Sequence, residues 1–156
     1  MKIAIAILAA LALAVPAATM AGDKSTVIPA PDVVAAITQL VPQAQSAGSS
    51  GSTLLSTGNL ALKLSVRTSS GGAEIHAHYD DLMIVERGSA TLITGGTVIG
   101  GTTSADGETH GSGIEGGTSK TIGVGDVVIV PAGQPHQLLI PPGTVYGAMV
   151  AKIKEP

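Results

Sequence analysis

Four histidines stand in this chain of 156 residues, and three of them sit where imidazoles could grip a metal ion. His76 and His78 are two apart in the run Ala73 to His78, which has strand-like composition. Side chains on a strand alternate faces, so a spacing of two puts both rings on one side. Glu74 shares that parity. Asp81 follows at the turn into the next strand, where Asp81, Met83 and Val85 share one face and Leu82, Ile84 and Glu86 the other. Far along the chain, Gly125 to His136 reads as a strand, a Pro-x-Gly turn and a histidine opening the next strand. Neutral imidazoles with one carboxylate suit a divalent transition metal such as Fe, Mn, Zn, Ni or Cu. Alone, the His-x-His pair is a weak signal and reads first as two polar residues on an exposed strand face. The chain has no cysteine, which excludes disulfides, thiolate metal sites and a cysteine nucleophile.

The elements that must position these residues are mostly strands. Leu60, Leu62, Leu64 and Val66 alternate with Ala61, Lys63, Ser65 and Arg67, the period-two pattern of a half-buried strand. Further strands are expected at Ala73 to His78, Leu82 to Glu86, Ala90 to Thr94, Asp126 to Val130, His136 to Ile140 and Val145 to Ile153. Glycine and proline turns separate them. The polar stretch Gly96 to Gly123 is either a large loop or a strand pair too polar to detect. Before the strands, Pro31 to Val41 reads as one short helix ended by Pro42, and Gln43 to Ser52 as a flexible connection. Many short strands with no helices between them predict an all-β sandwich or small barrel.

Both histidine segments resemble the cupin superfamily. Its second motif is Gly, five residues, Pro, any residue, Gly, two residues, His, three residues, Asn. Gly125, Pro131, Gly133 and His136 match, and Ile140 stands in place of the Asn. Its first motif contains His-x-His, three or four residues, Glu, six residues, Gly. His76, His78 and Gly88 match, with Asp81 in place of the Glu and one residue fewer after His78. The resemblance covers Glu74 to Ile140. It implies a cupin-type jelly-roll β-barrel, often dimeric, with a metal held by His76, His78, Asp81 and His136. If the shorter Asp81 cannot reach the ion, Glu74 is the alternative carboxylate. The loss of the Asn implies a more apolar pocket, walled by Met83, Val85, Leu138, Ile140 and Met149. Strand parity points Tyr79 away from the histidines, and Tyr146 has no placement. His110 reads as a lid residue at the barrel mouth or as a solvated loop histidine. Asp80 and Glu86 read as surface charges.

Composition narrows the function. Lys plus Arg is 8 and Asp plus Glu is 11, so the net charge is -3, and charged residues are only 12%. That leaves no basic surface for nucleic acid and no polybasic membrane patch. Without Phe or Trp, aromatic stacking on a ligand is nearly absent. At the N-terminus, Lys2 precedes an apolar run from Ile3 to Val15, Pro16 breaks it, and Thr19 and Ala21 supply small residues before a cut. This is the layout of a secretory signal peptide over residues 1–21. The run is too short for a transmembrane helix, which needs ~20 apolar residues. The expected protein is exported, periplasmic or extracellular, with residues 22–52 carrying the helix and connection and 53–156 the barrel. It is expected to act on or hold a small molecule. One reading is a metal-dependent enzyme of dioxygenase, isomerase or lyase type. The others are a non-catalytic barrel holding a metal or small ligand, and a purely structural barrel without metal. The outer residues Leu82 and Ile84 mark either a homodimer contact or a second layer of the same subunit.

Overall fold

The computed structural model describes residues 25–156, so the signal peptide expected over residues 1–21 lies outside the described residues. Helix α1 spans Ala30–Ala47. Pro31 opens it, where the missing N–H costs nothing, and Asp32 lies in the first turn near the positive end of the helix dipole. The expected stop at Pro42 does not hold: the helix runs through it and ends at Gly48, whose φ is 85°. An internal proline costs a helix roughly 3 kcal/mol. Tertiary contacts offset this, because Ala44 is fully buried and its carbonyl accepts a hydrogen bond from Thr68 Oγ1 at 2.6 Å. Residues expected to form a flexible connection are therefore the last helical turn and the start of a strand.

Thirteen strands follow. They are β1 Ser49–Ser56, β2 Leu60–Arg67, β3 Ala73–His76, β4 Tyr79–Arg87, β5 Ser89–Thr94, β6 Thr97–Ile99, β7 Thr102–Thr103, β8 Glu108–Gly111, β9 Gly113–Glu115, β10 Thr118–Gly123, β11 Val127–Val130, β12 His136–Leu139 and β13 Tyr146–Lys154. One sheet has the order β1-β2-β13-β4-β11 and the other β10-β5-β12-β3-β8-β7, with β6 and β9 paired separately. Their recorded pairings are antiparallel. Of the two readings left open for the stretch Gly96 to Gly123, the strands are the one found. Its Gly, Ser and Thr content hid them, because edge strands facing water need no apolar alternation. Gly88 and Gly133, both in the motif turns, adopt φ of 67° and 75°, a region that side chains with a Cβ avoid.

Two apolar layers hold the barrel. Between the sheets, Met83, Val85, Leu92, Ile122, Val130, Tyr146 and Ala148 pack into one buried cluster. Outside, Val33, Ile37 and Ala44 of α1 cover Leu64 and Val66 of β2, with Met149 of β13 packed against them. The apolar face of β2 therefore meets the helix, and its other face, Ala61, Lys63, Ser65 and Arg67, lines the barrel cavity. The helices among the described residues include none long and apolar enough to cross a membrane.

Candidate metal centre

Strand β3 carries the centre of the site. On one side its Glu74 is opposite His136 of β12, and on the other side its His76 is opposite Glu108 of β8. Directly opposed residues project to the same face of a sheet, so pairing alone brings these four side chains together. His76 and His136 are both buried, with ring centroids 5.0 Å apart. Glu74 Oε2 lies 3.8 Å from His76 Nε2 and 3.9 Å from His136 Nε2. One donor atom from each of Glu74, His76 and His136 falls within 4.8 Å of the others.

The outer nitrogens are held in ways that turn the inner ones towards this group. His136 Nδ1 is 3.2 Å from the Gln134 carbonyl, to which it donates, and that leaves Nε2 as a lone-pair donor. Burial holds the His136 pKa below the usual imidazole range. His76 Nδ1 hydrogen-bonds the Glu108 carboxylate. Burial alone would push the His76 pKa down, but the hydrogen bond and charge of Asp81, with Glu108, outweigh it and raise it. A carboxylate or carbonyl behind each imidazole fixes the ring, as metal-ligating histidines usually require.

Asp81 is buried and faces inward, as parity predicts. Its Oδ2 lies 3.3 Å from His76 Nε2 and its Oδ1 3.2 Å from Lys152 Nζ. Lys152 is its direct neighbour on β13. Burial works to raise the Asp81 pKa, and His76 and Lys152 overcome it and hold the pKa below the usual carboxylate value. Of the two carboxylates left open by the sequence, Glu74 is the one gathered with both imidazoles, and Asp81 sits beside His76 in an ion pair with Lys152.

His78 is placed elsewhere. β3 ends at His76, residues 77 and 78 form a bend, and the exposed His78 ring lies near Gly107. The pleat that would carry it to the same face as His76 has already stopped. The bend also resets the parity: Tyr79 now shares the inward face with Asp81 and lines the cavity, contrary to the expectation that it points away. Lys152 Nζ lies 5.6 Å from the Tyr79 ring centroid. The wall expectation is corrected in three places. Met83 and Leu138 line the cavity, but Ile140 and Val85 belong to the buried core and Met149 packs on the α1 side. The cavity, of about 720 Å³, also carries charged groups, with Lys63, Arg67, Asp106, Glu108 and Lys152 in its lining. Asp80 is more than a surface charge, since its Oδ1 accepts the Ala132 N–H at 2.7 Å and ties down the turn before His136. His110 is exposed at the end of this group, on β8, with Nδ1 3.9 Å from Glu74 Oε1. Glu108 carries little local signal because its strand lies in the polar stretch, although Glu108 and His110 do share one strand parity there. Tyr146 is fully buried in the core, and its hydroxyl has no hydrogen-bond partner among the described residues.

The donor set fits a first-row divalent ion. With bonds of ~2.1 Å, opposite ligand atoms stand ~4.2 Å apart, and the two Glu74 to imidazole distances lie inside that span. Imidazole and carboxylate match the borderline ions of this series.

No family model matches the sequence, and no curated protein matches it. Solved structures do. One is an uncharacterized conserved protein with a double-stranded beta-helix domain from Klebsiella pneumoniae, at 15% identity, covering 69% of this chain and 78% of that one with a TM-score of 0.52. Another is the Cnp3 cupin domain of Schizosaccharomyces pombe, at 9% identity, 69% and 65% coverage and a TM-score of 0.52. The DMSP lyase DddQ of Ruegeria pomeroyi matches at 17% identity and a TM-score of 0.49, and this chain spans only 46% of its length. At these identities the likeness concerns architecture: the described residues form a jelly-roll barrel of the cupin fold.

Proposed function

We propose that this protein is an exported, metal-binding cupin that acts on a small organic molecule. The observation that carries the reading is the convergence of Glu74, His76 and His136 at a cavity of about 720 Å³. These three would hold a divalent transition metal, with Asp81 beside them. A bound ion there supplies Lewis acidity for an oxygen of the substrate. The chain's own residues supply the rest. Glu108 and the Gln134 carbonyl orient the imidazoles. The Lys152–Asp81 pair and the Tyr79 hydroxyl offer groups for proton transfer at the cavity wall. Those groups favour an enzyme of dioxygenase, isomerase or lyase type over a barrel that only holds its ligand. Export rests on the leader-like layout of residues 1–21.

Elemental analysis of protein purified without added metal tests the centre. About one ion per chain is expected, lost in the combined Glu74→Gln, His76→Ala and His136→Ala variant and kept in His78→Ala. Equal metal in wild type and the combined variant would remove the proposal. Oxygen uptake and product analysis against diketones, phenols and sugar acids then separate turnover from simple binding.

A further inference from the structure

The same cavity carries a second charged group, on β2. Arg67 ends that strand and faces inward, opposite Tyr146 of β13. Its guanidinium lies across Gly71, so closely that a Cβ at residue 71 would stand 2.6 Å from Arg67 Nη1. Gly71 is fixed to β12 in turn. Its N–H donates to the Leu138 carbonyl at 3.1 Å, and its carbonyl accepts from Gln137 Nε2 at 2.9 Å. The guanidinium is thereby lodged against the strand that His136 opens, facing the same cavity as the metal centre.

No described residue neutralises it. Among the described residues, the ion pairs of Glu74 and Glu108 are with histidines and those of Asp81 with His76 and Lys152. None reaches Arg67, and its Nε is buried without a hydrogen-bond partner. Lys63, four residues earlier on the same inward face, has no ion-pair partner among the described residues either. A buried donor left unmatched costs free energy until something accepts its hydrogen bond. A guanidinium offers paired parallel N–H groups, which match the two oxygens of a carboxylate.

We infer that Arg67 binds the carboxylate of a small organic monoacid, whose other end then faces Glu74, His76 and His136. This deepens the proposed function and rests on its small-molecule reading, naming the substrate class. A single negative charge fits better than two, because Glu74, Asp81, Asp106 and Glu108 line the same cavity as Lys63, Arg67 and Lys152. Arg67 is on this account a binding and orienting residue. The Gly71 side that it occupies must stay free of a Cβ.

The full purified chain tests this by NMR titration with propionate, its neutral isostere propionamide and inorganic phosphate, while the Arg67 Nε–H signal is followed where Arg67 is present and the Gly72 backbone amide signal in wild type and variants alike. Propionate should shift that signal to saturation, and propionamide should not. Arg67→Gln and Gly71→Ala should each weaken propionate at least about tenfold. Gly71→Ala keeps the charge and only displaces the guanidinium, so it remains informative if Arg67→Gln folds poorly. The inference is overturned if propionate does not bind, if propionamide binds equally well, if both variants keep wild-type affinity, or if phosphate binds more tightly than propionate. Metal content measured on the same samples keeps the two proposals apart. Arg67-dependent propionate binding without metal would leave this inference standing and remove the metal centre.

Discussion

Strands β4 and β13 cross the barrel side by side, each with one face turned inward for its whole length, yet their two ends differ completely. At one end Val85 of β4 is opposite Ala148 of β13, with Tyr146 beyond it, all sealed in the core. At the other end Asp81 is opposite Lys152, and Tyr79 follows, on the wall of an open cavity. Register and direction are the same from Val85–Ala148 to Tyr79–Lys154, with a shift only beyond, between Gly147 and Ala148, so over this span residue type sets the difference. The aliphatic end excludes water and supplies the burial that holds the sheets together. The charged end could not be sealed this way, because its groups need partners or solvent, and it becomes the place where chemistry is available.

Substitutions at each end sharpen this contrast. The largest effect should come from the sealed end: Leu92→Ala on β5, at a residue only 4% exposed, should cost about 3 kcal/mol in urea unfolding. Next comes the Tyr146 hydroxyl, whose pKa burial pushes up to about 12 from a usual value of 10.0. The folded state keeps this proton after the unfolded chain has lost it. Stability is therefore untouched below pH ~10 and falls by roughly 2–3 kcal/mol as pH rises towards about 12. Tyr146→Phe should abolish that alkaline loss when wild type and variant are unfolded at about pH 9 and about pH 11.5. A smaller effect is expected at the open end. Asp81→Ala strips Lys152 of its counter-charge, but the lysine side chain keeps 17% exposure, so the loss should be about 1–2 kcal/mol. Adding Lys152→Met should restore most of it, and a double-mutant cycle with no coupling would mean that the pair does not hold that end together.

The features readable from the sequence are local ones. The turns at Gly88 and Gly133 are legible because their backbone angles demand glycine. The inward set Asp81, Met83 and Val85 is legible because strand parity needs no knowledge of neighbours. The helix end is not legible at Pro42, because what carries the helix past that proline is the burial of Ala44 and its hydrogen bond from Thr68, on a distant segment. The cavity was expected to be more apolar because Ile140 replaces the motif's Asn, but Ile140 lies in the core and, with α1 covering the apolar face of β2, the Lys63, Ser65 and Arg67 face lines the cavity.

The sequence by itself determined that strands carry histidines and acids into a barrel of this type, since period, turn chemistry and motif spacing are properties of neighbouring residues. Only the tertiary structure decided which of those side chains meet. Glu74 joins His76 and His136 because β12 pairs with β3 in that register. His78 is left outside because β3 ends at His76. Glu108 enters because β8 lies on the other side of β3. Register and strand ends are settled by contacts between segments far apart in the chain, and no local pattern encodes them.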